Sequence, residues 1–170
     1  MTDSQAREKG QPPARHFHYV ESPIGLVEIG GSACAIDWLV FVDAPRVDSV
    51  QPSAEDDLIR AAGQQVQEYF TGQRQTFDLP LSLVGTAFQQ RVWRQLLTVS
   101  WGTTATYQEI ANALENPKAV RAVGAANGQN PISIIVPCHR IIGSNGQLTG
   151  YGGGLWRKEW LLRHEGALLL

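Results

Sequence analysis

The run Pro137-Cys138-His139-Arg140 sets a thiol beside an imidazole and a guanidinium. Thiolate rather than thiol is the attacking species, and cationic or hydrogen-bonding neighbours favour it. The preceding Ile132–Val136 is mostly β-branched and predicts a buried strand. Cys138 is therefore expected where a rigid strand meets a turn. The other cysteine, Cys34, lies in an apolar strand pattern and is expected in the core. Two cysteines this far apart suggest no disulfide framework, which leaves at least one thiol free for chemistry.

A glycine-rich stretch follows the thiol: Gly143, Gly146, Gly150, then Tyr151-Gly152-Gly153-Gly154. It lacks the lysine and the spacing of a phosphate-binding loop. A flexible wall closing over a flat ring suits it better. Beyond it, Lys158–His164 predicts an amphipathic helix with Glu165 at its end. His16 and His18 with Cys34 fall a ligand short of a closed zinc site. No metal is expected, and no cofactor. Trp93, Trp101, Trp156 and Trp160 are expected as core and domain-interface anchors.

The elements ahead of the thiol must position it. Thr86 with Gln89 forms a capping-box pattern, and Phe88, Val92 and Leu96 share one helical face. A second box, Thr106 with Glu109, opens a short helix through Ile110 and Leu114. Asn116-Pro117 supplies an N-cap and a first-turn proline for another helix, running to about Asn127 before Gly128 ends it. Two short helices so closely joined are a helix-turn-helix candidate, although helical hairpins occur in many other proteins. Lys118–Asn127 is mostly small residues around the long cation Arg121. Small residues let a backbone approach a groove, and a lone Arg can replace an extruded base within the stack. A tight helix–helix contact carrying a surface Arg would give the same pattern.

The first half predicts a small α/β unit. His18–Ser22, Leu26–Gly31 and Ala35–Val42 have strand patterns, with Pro23–Gly25 marking the first turn. A helix is expected from Ser53, with Asp56 and Asp57 in its first turn. Leu58, Ala62, Val66 and Phe70 form its apolar stripe, and Gly72 stops it. Phe77–Leu81 predicts a further short strand. Nothing in this half suggests a catalytic constellation, which leaves it the part of a scaffold.

With 43% hydrophobic and 18% charged residues, a packed core is expected and wholesale disorder is not. No apolar run approaches the roughly 20 residues that span a bilayer. Met1 to Arg15 is polar and lacks the apolar segment of a secretory signal, so a loose tail on a cytoplasmic protein is expected. The net charge of −2 conceals an asymmetry. Residues 1–85 hold 6 Lys/Arg against 12 Asp/Glu, and residues 86–170 hold 8 against 4, so the balances are −6 and +4. Such a split points to two modules, one of them facing phosphate. The expected division is a tail over 1–15, a scaffold domain over 16–84 and a second domain over 85–170.

The segment Asn130-Pro131-Ile132-Ser133-Ile134-Ile135-Val136-Pro137-Cys138-His139-Arg140 resembles the active-site signature of the O6-alkylguanine-DNA alkyltransferases. Arg121-Ala122-Val123-Gly124 resembles that family's recognition helix, and Lys158-Glu159-Trp160-Leu161-Leu162 with His164-Glu165-Gly166 its last helix. The likeness runs in order from about residue 86 to 170 and is weaker before that. It implies an α/β fold, with a ribonuclease H-like amino-terminal domain followed by a winged helix-turn-helix domain. It implies repair of O6-alkylguanine, with O4-alkylthymine left open, by one irreversible transfer of the alkyl group to Cys138 after base flipping. His139 would act on the thiol through a water, oriented by Glu165, and Asn130 would bridge the site and the recognition helix. Tyr107 would donate to the base, and Arg121, Ala122, Gly124, Ala125 and Asn127 would meet DNA. Ile141, Tyr151, Gly152 and Gly153 would wall the base pocket; some relatives carry a hydroxyl residue where this chain has Gly152. The implied partner is double-stranded alkylated DNA, met through its backbone and minor groove, with no membrane and no obligate protein partner. Two other readings stand beside this one: a winged-helix regulator with a structural or redox-sensing cysteine, and a lesion-flagging protein without transfer. Relatives of the flagging kind replace the cysteine, and Cys138 is intact.

Overall fold

The computed structural model describes residues 16–47 and 56–168; the tail over 1–15 and the expected helix start at Ser53 lie outside them. Three antiparallel strands, β1 (Phe17–Ser22), β2 (Gly25–Gly31) and β3 (Ile36–Val42), form a meander in that order. Gly25 sits at φ 113°, a conformation that side chains oppose, so glycine permits the tight reversal from β1 into β2. The helix α1 (Asp57–Phe70) packs on the face of the sheet that carries His18 and Val20. Its buried set is Ile59, Ala62, Gly63, Val66, Tyr69 and Phe70, with Leu58 only half-buried. The expected four-residue stripe drifts because a helix turns every 3.6 residues, which carries Tyr69 inward. On the opposite face of the central strand, Glu28 is fully buried and accepts from Tyr19 Oη, Trp38 Nε1 and Arg46. A buried charge persists only when paired and hydrogen-bonded in this way.

Two segments cover the outer edge of β3. Ile36 N donates to Pro80 O and Ser82 N to Ile36 O, both at 2.8 Å, an isolated bridge where a strand over 77–81 was expected. Pro80 lacks the N–H that a longer ladder needs. Further along the same edge, Leu39 N donates to Pro131 O at 2.9 Å and Ser133 N to Leu39 O at 2.8 Å. This second bridge fastens the segment that leads to Cys138 onto the amino-terminal sheet.

The second half contains α2 (Ala87–Leu96), β4 (Ala105–Thr106), α3 (Tyr107–Ala113), α4 (Val120–Gly128), β5 (Ile141–Ile142) and α5 (Leu155–His164). Both expected capping boxes form, Thr86 with Gln89 and Thr106 with Glu109. The helix expected from Asn116 begins instead at Val120 and includes Gly128. Residues 116–119 make a separate turn, closed by Ala119 N on Asn116 O at 3.0 Å, after Glu115 breaks α3 at φ 58°. The strands β4 and β5 pair in parallel, Ala105 with Ile141 and Thr106 with Ile142. The class is thus mixed α/β, as expected. Among the described residues no helix is long and apolar enough to cross a membrane.

Candidate active site

Cys138 opens a 3-10 turn, Cys138–Arg140, directly before β5. Residues 132–136 are not the strand their β-branched composition suggests. They form tight turns in which Ile134 lies at φ 70°, a conformation that costs a β-branched residue roughly 1–3 kcal/mol. The surroundings hold it there: Asn130 Oδ1 accepts from Ile132 N at 3.0 Å and its Nδ2 donates to Val136 O at 2.8 Å. One amide thus spans the loop that delivers the thiol. From the end of α4, Asn127 Nδ2 reaches Cys138 O at 3.3 Å.

His139, Arg140 and Glu165 are all buried and meet at one carboxylate. His139 Nε2 lies 2.7 Å from Glu165 Oε1, and Arg140 donates through Nε to Oε2 at 2.7 Å and through Nη2 to Oε1 at 3.0 Å. Tyr69 Oη, from α1 in the other half of the chain, donates to the same Oε1 at 2.7 Å. Burial alone would raise the Glu165 carboxyl; the hydrogen bonds and charges of His139 and Arg140 outweigh it and hold it at about 2. Burial pushes His139 below its usual value, against the pull of Glu165. A neutral ring beside that carboxylate carries its proton on Nε2, which leaves Nδ1 an acceptor. That Nδ1 is buried and has no hydrogen-bond partner among the described residues.

Cys138 is 4% exposed, and burial pushes its thiol up. The Asn130 amide, the Lys158 charge and the backbone N–H groups of Cys138 and His139 pull the other way. Burial wins, so the resting group is a thiol, in contrast to the activated thiolate that its neighbours suggested in sequence. Cys34, expected in the core, is exposed in the 32–35 turn, because β3 starts only at Ile36.

A cavity of about 180 Å³ opens on Cys138, walled by Asn130, Ser133, Tyr151, Gly152 and Gly153 and, from β3, by Val40 and Phe41. Tyr107 is the first residue of α3, and its hydroxyl donates to Thr149 O at 3.0 Å. Ile141 is buried in β5. On α4, Arg121, Ala122 and Ala125 are exposed and Gly124 is half-buried against the Tyr107 ring. Asn127, expected to meet DNA, turns inward instead: it shares the buried face of Val123 and Ala126 and is 2% exposed. Trp93 is buried and bonds Ala126 O, whereas Trp156, expected as an anchor, is 56% exposed in the first turn of α5.

Sequence reasoning missed two contributors. Tyr69 sat one position off the expected stripe and reaches Glu165 across the two halves. Lys158 is fully buried, and its Nζ donates to Ile141 O at 2.5 Å and Thr149 O at 2.8 Å, tying β5 to the glycine-rich loop. Burial lowers that lysine to about 8. Its spacing was the available signal, since Lys158, Leu161, Leu162 and Glu165 follow at helical intervals on one buried face.

Residues 16–83 match the family model described as the ribonuclease-like domain of 6-O-methylguanine DNA methyltransferase, and residues 87–167 match its DNA binding domain. Over 152 residues the chain is 44% identical to the methylated-DNA–protein-cysteine methyltransferase of Methanosarcina mazei, covering 88% of this chain and 96% of the relative. A crystal structure of the Mycobacterium tuberculosis O6-methylguanine methyltransferase is similar with a TM-score of 0.80 at 44% identity, over 90% of this chain and 93% of that one. The OGT of the same organism in complex with DNA gives 0.81 at 44% identity, over 89% and 93%. Both halves of the fold and the order of its elements are thereby accounted for: the chain belongs to the 6-O-methylguanine DNA methyltransferase family.

Proposed function

We propose that this protein repairs O6-alkylguanine in double-stranded DNA by transferring the alkyl group to Cys138, once and irreversibly. The observation that carries the reading is a buried thiol lining a cavity, followed in the chain by a buried histidine that Glu165 orients. The thiol proton passes to His139 Nδ1 through a water seated between them, which gives that buried acceptor its partner. The sulfur then attacks the alkyl carbon, forming the S–C bond as the C–O6 bond breaks. Guanine leaves with the electron pair, eased by a hydrogen bond from Tyr107 to ring N3 and by the backbone N–H of Gly152. It takes up one proton, balancing the one the thiol gave. Water does not hydrolyse the thioether, so each molecule acts once.

A base within the duplex cannot reach a buried thiol, so the lesion must leave the stack. Arg121 stands exposed on α4 with Ala122 and Ala125 beside it, a small-residue face that admits the minor groove and a cation that fills the gap. In this reading α3 and α4 are the helix-turn-helix, the second half binds DNA and accepts the alkyl group, and the first half is its support. Family membership together with an intact Cys138 favours transfer over regulation or mere flagging of lesions. The test is to incubate the protein with a duplex carrying a labelled O6-methylguanine and map the label by peptide. It is expected on Cys138; label on the exposed Cys34 would overturn the assignment.

A further inference from the structure

We propose that Phe41, on the edge strand β3 of the amino-terminal sheet, is a specificity-determining residue for the alkyl group and seats an aryl-sized arm beside Cys138. The inference rests on the alkyl-transfer reading above and gives the first half of the chain a part in substrate choice. The cavity on Cys138 measures about 180 Å³. A methyl group fills a small part of that, whereas an apolar cavity of about 150 Å³ holds a benzene ring. Tyr151, Gly152 and Gly153, given to the base, line it and Tyr107 and Ile141 do not, so the cavity continues the base pocket past the thiol towards β3. The end of it walled by Val40 and Phe41 is the part that no residue given to the base lines, and there an arm larger than methyl finds room beside Cys138. Its walls come from both halves of the chain: Val40 and Phe41 from β3, Ser133 and Gly153 from the loops around the thiol.

Phe41 is held in place. The Arg157 guanidinium lies between two rings, 4.8 Å from the Phe41 centroid and 4.6 Å from that of Trp156. The same guanidinium donates to Ile24 O and to Gly153 O, each at 2.7 Å, and so fastens the amino-terminal sheet to the glycine-rich loop. Gly153 lies close against Phe41 and Tyr151: an added Cβ would stand 3.2 Å from Phe41 Cδ2 and 2.8 Å from Tyr151 Cε1. A clamped aromatic ring at the wall offers an arm a fixed π-surface, and such ring pairs contribute up to about tenfold in affinity beyond simple burial.

The experiment measures single-turnover transfer from duplexes of one sequence carrying either O6-methylguanine or O6-benzylguanine, using the full chain and its Phe41→Ala and Phe41→Leu variants. The benzyl-to-methyl rate ratio is expected to fall about tenfold in Phe41→Ala and by a smaller factor in Phe41→Leu. The leucine variant keeps apolar volume without the ring, and methyl transfer reports that the site has folded. A ratio within about twofold of the original in both variants, or one that rises, would overturn the proposal. Absence of methyl transfer in the unaltered protein would instead overturn the reading on which it rests.

Discussion

Glu165 Oε1 and Oε2 collect hydrogen bonds from His139, Arg140 and Tyr69, so the acid is the hub on which the His139 ring is oriented. Its pH consequence has a definite sign. The carboxyl is held at about 2, below its ordinary 4.5, so the stability it contributes is complete above 4.5 and lost as pH falls towards 2. His139, kept below 6.5 by burial, acts in the same direction, because protonating it costs the folded state more than the unfolded one. Glu165→Gln should therefore lower the melting temperature at pH 7 and flatten its decline between 4.5 and 2. The loss at neutral pH should be about 3–5 kcal/mol, since Arg140 is left buried without its anion. Melting curves of both proteins from pH 7 to 3 check this, and parallel acid limbs would contradict it. At this scale the sequence exposed Cys138 and His139 as neighbours and Glu165 through a family pattern. Tyr69 stayed hidden because its partner lies 96 residues away, where no local spacing records the contact.

Elements whose signals are local were legible. Both capping boxes are read from four consecutive residues and both formed. The segment over 132–136 was not, because its backbone is decided by Leu39 and Asn130 rather than by β-branched composition. The start of α4 was misplaced for a similar reason: Asn116-Pro117 does make a turn, but one that closes before the helix begins. The helix itself carries a prediction. Arg121→Ala should slow repair in duplex DNA far more than reaction with free O6-benzylguanine, because only the duplex substrate incurs the unstacking cost of a few kcal/mol. Single-turnover rates on the two substrates decide it, and equal slowing would assign Arg121 a structural part instead.

Over the whole molecule the charge asymmetry is smaller in effect than its count suggests. Of the eight cations in residues 86–170, Arg140 and Lys158 are buried and Arg157 is engaged by backbone carbonyls; Arg91, Arg94 and Arg163 are exposed but hold Leu114 O, Gln90 and Glu159, and Lys118 and Arg121 are exposed as well. Few phosphates can be neutralised, so the log–log dependence of DNA affinity on salt should be shallow. About three contacts give a slope near −3, and one steeper than about −6 would show a much wider contact surface. The expected α/β order was legible at this scale because apolar periodicity and charge change together near the middle of the chain. The cavity between the halves was not, since β3 and the loops around Cys138 meet only in the fold. On the proposed reading the protein is itself the acceptor and is consumed. Intact-mass measurement after incubation with excess O6-methylguanine duplex tests it most directly. Each chain should gain one methyl, Cys138→Ala none, and no further repair should follow when fresh duplex is added. An unchanged protein mass alongside continued conversion of the lesion to guanine would contradict it.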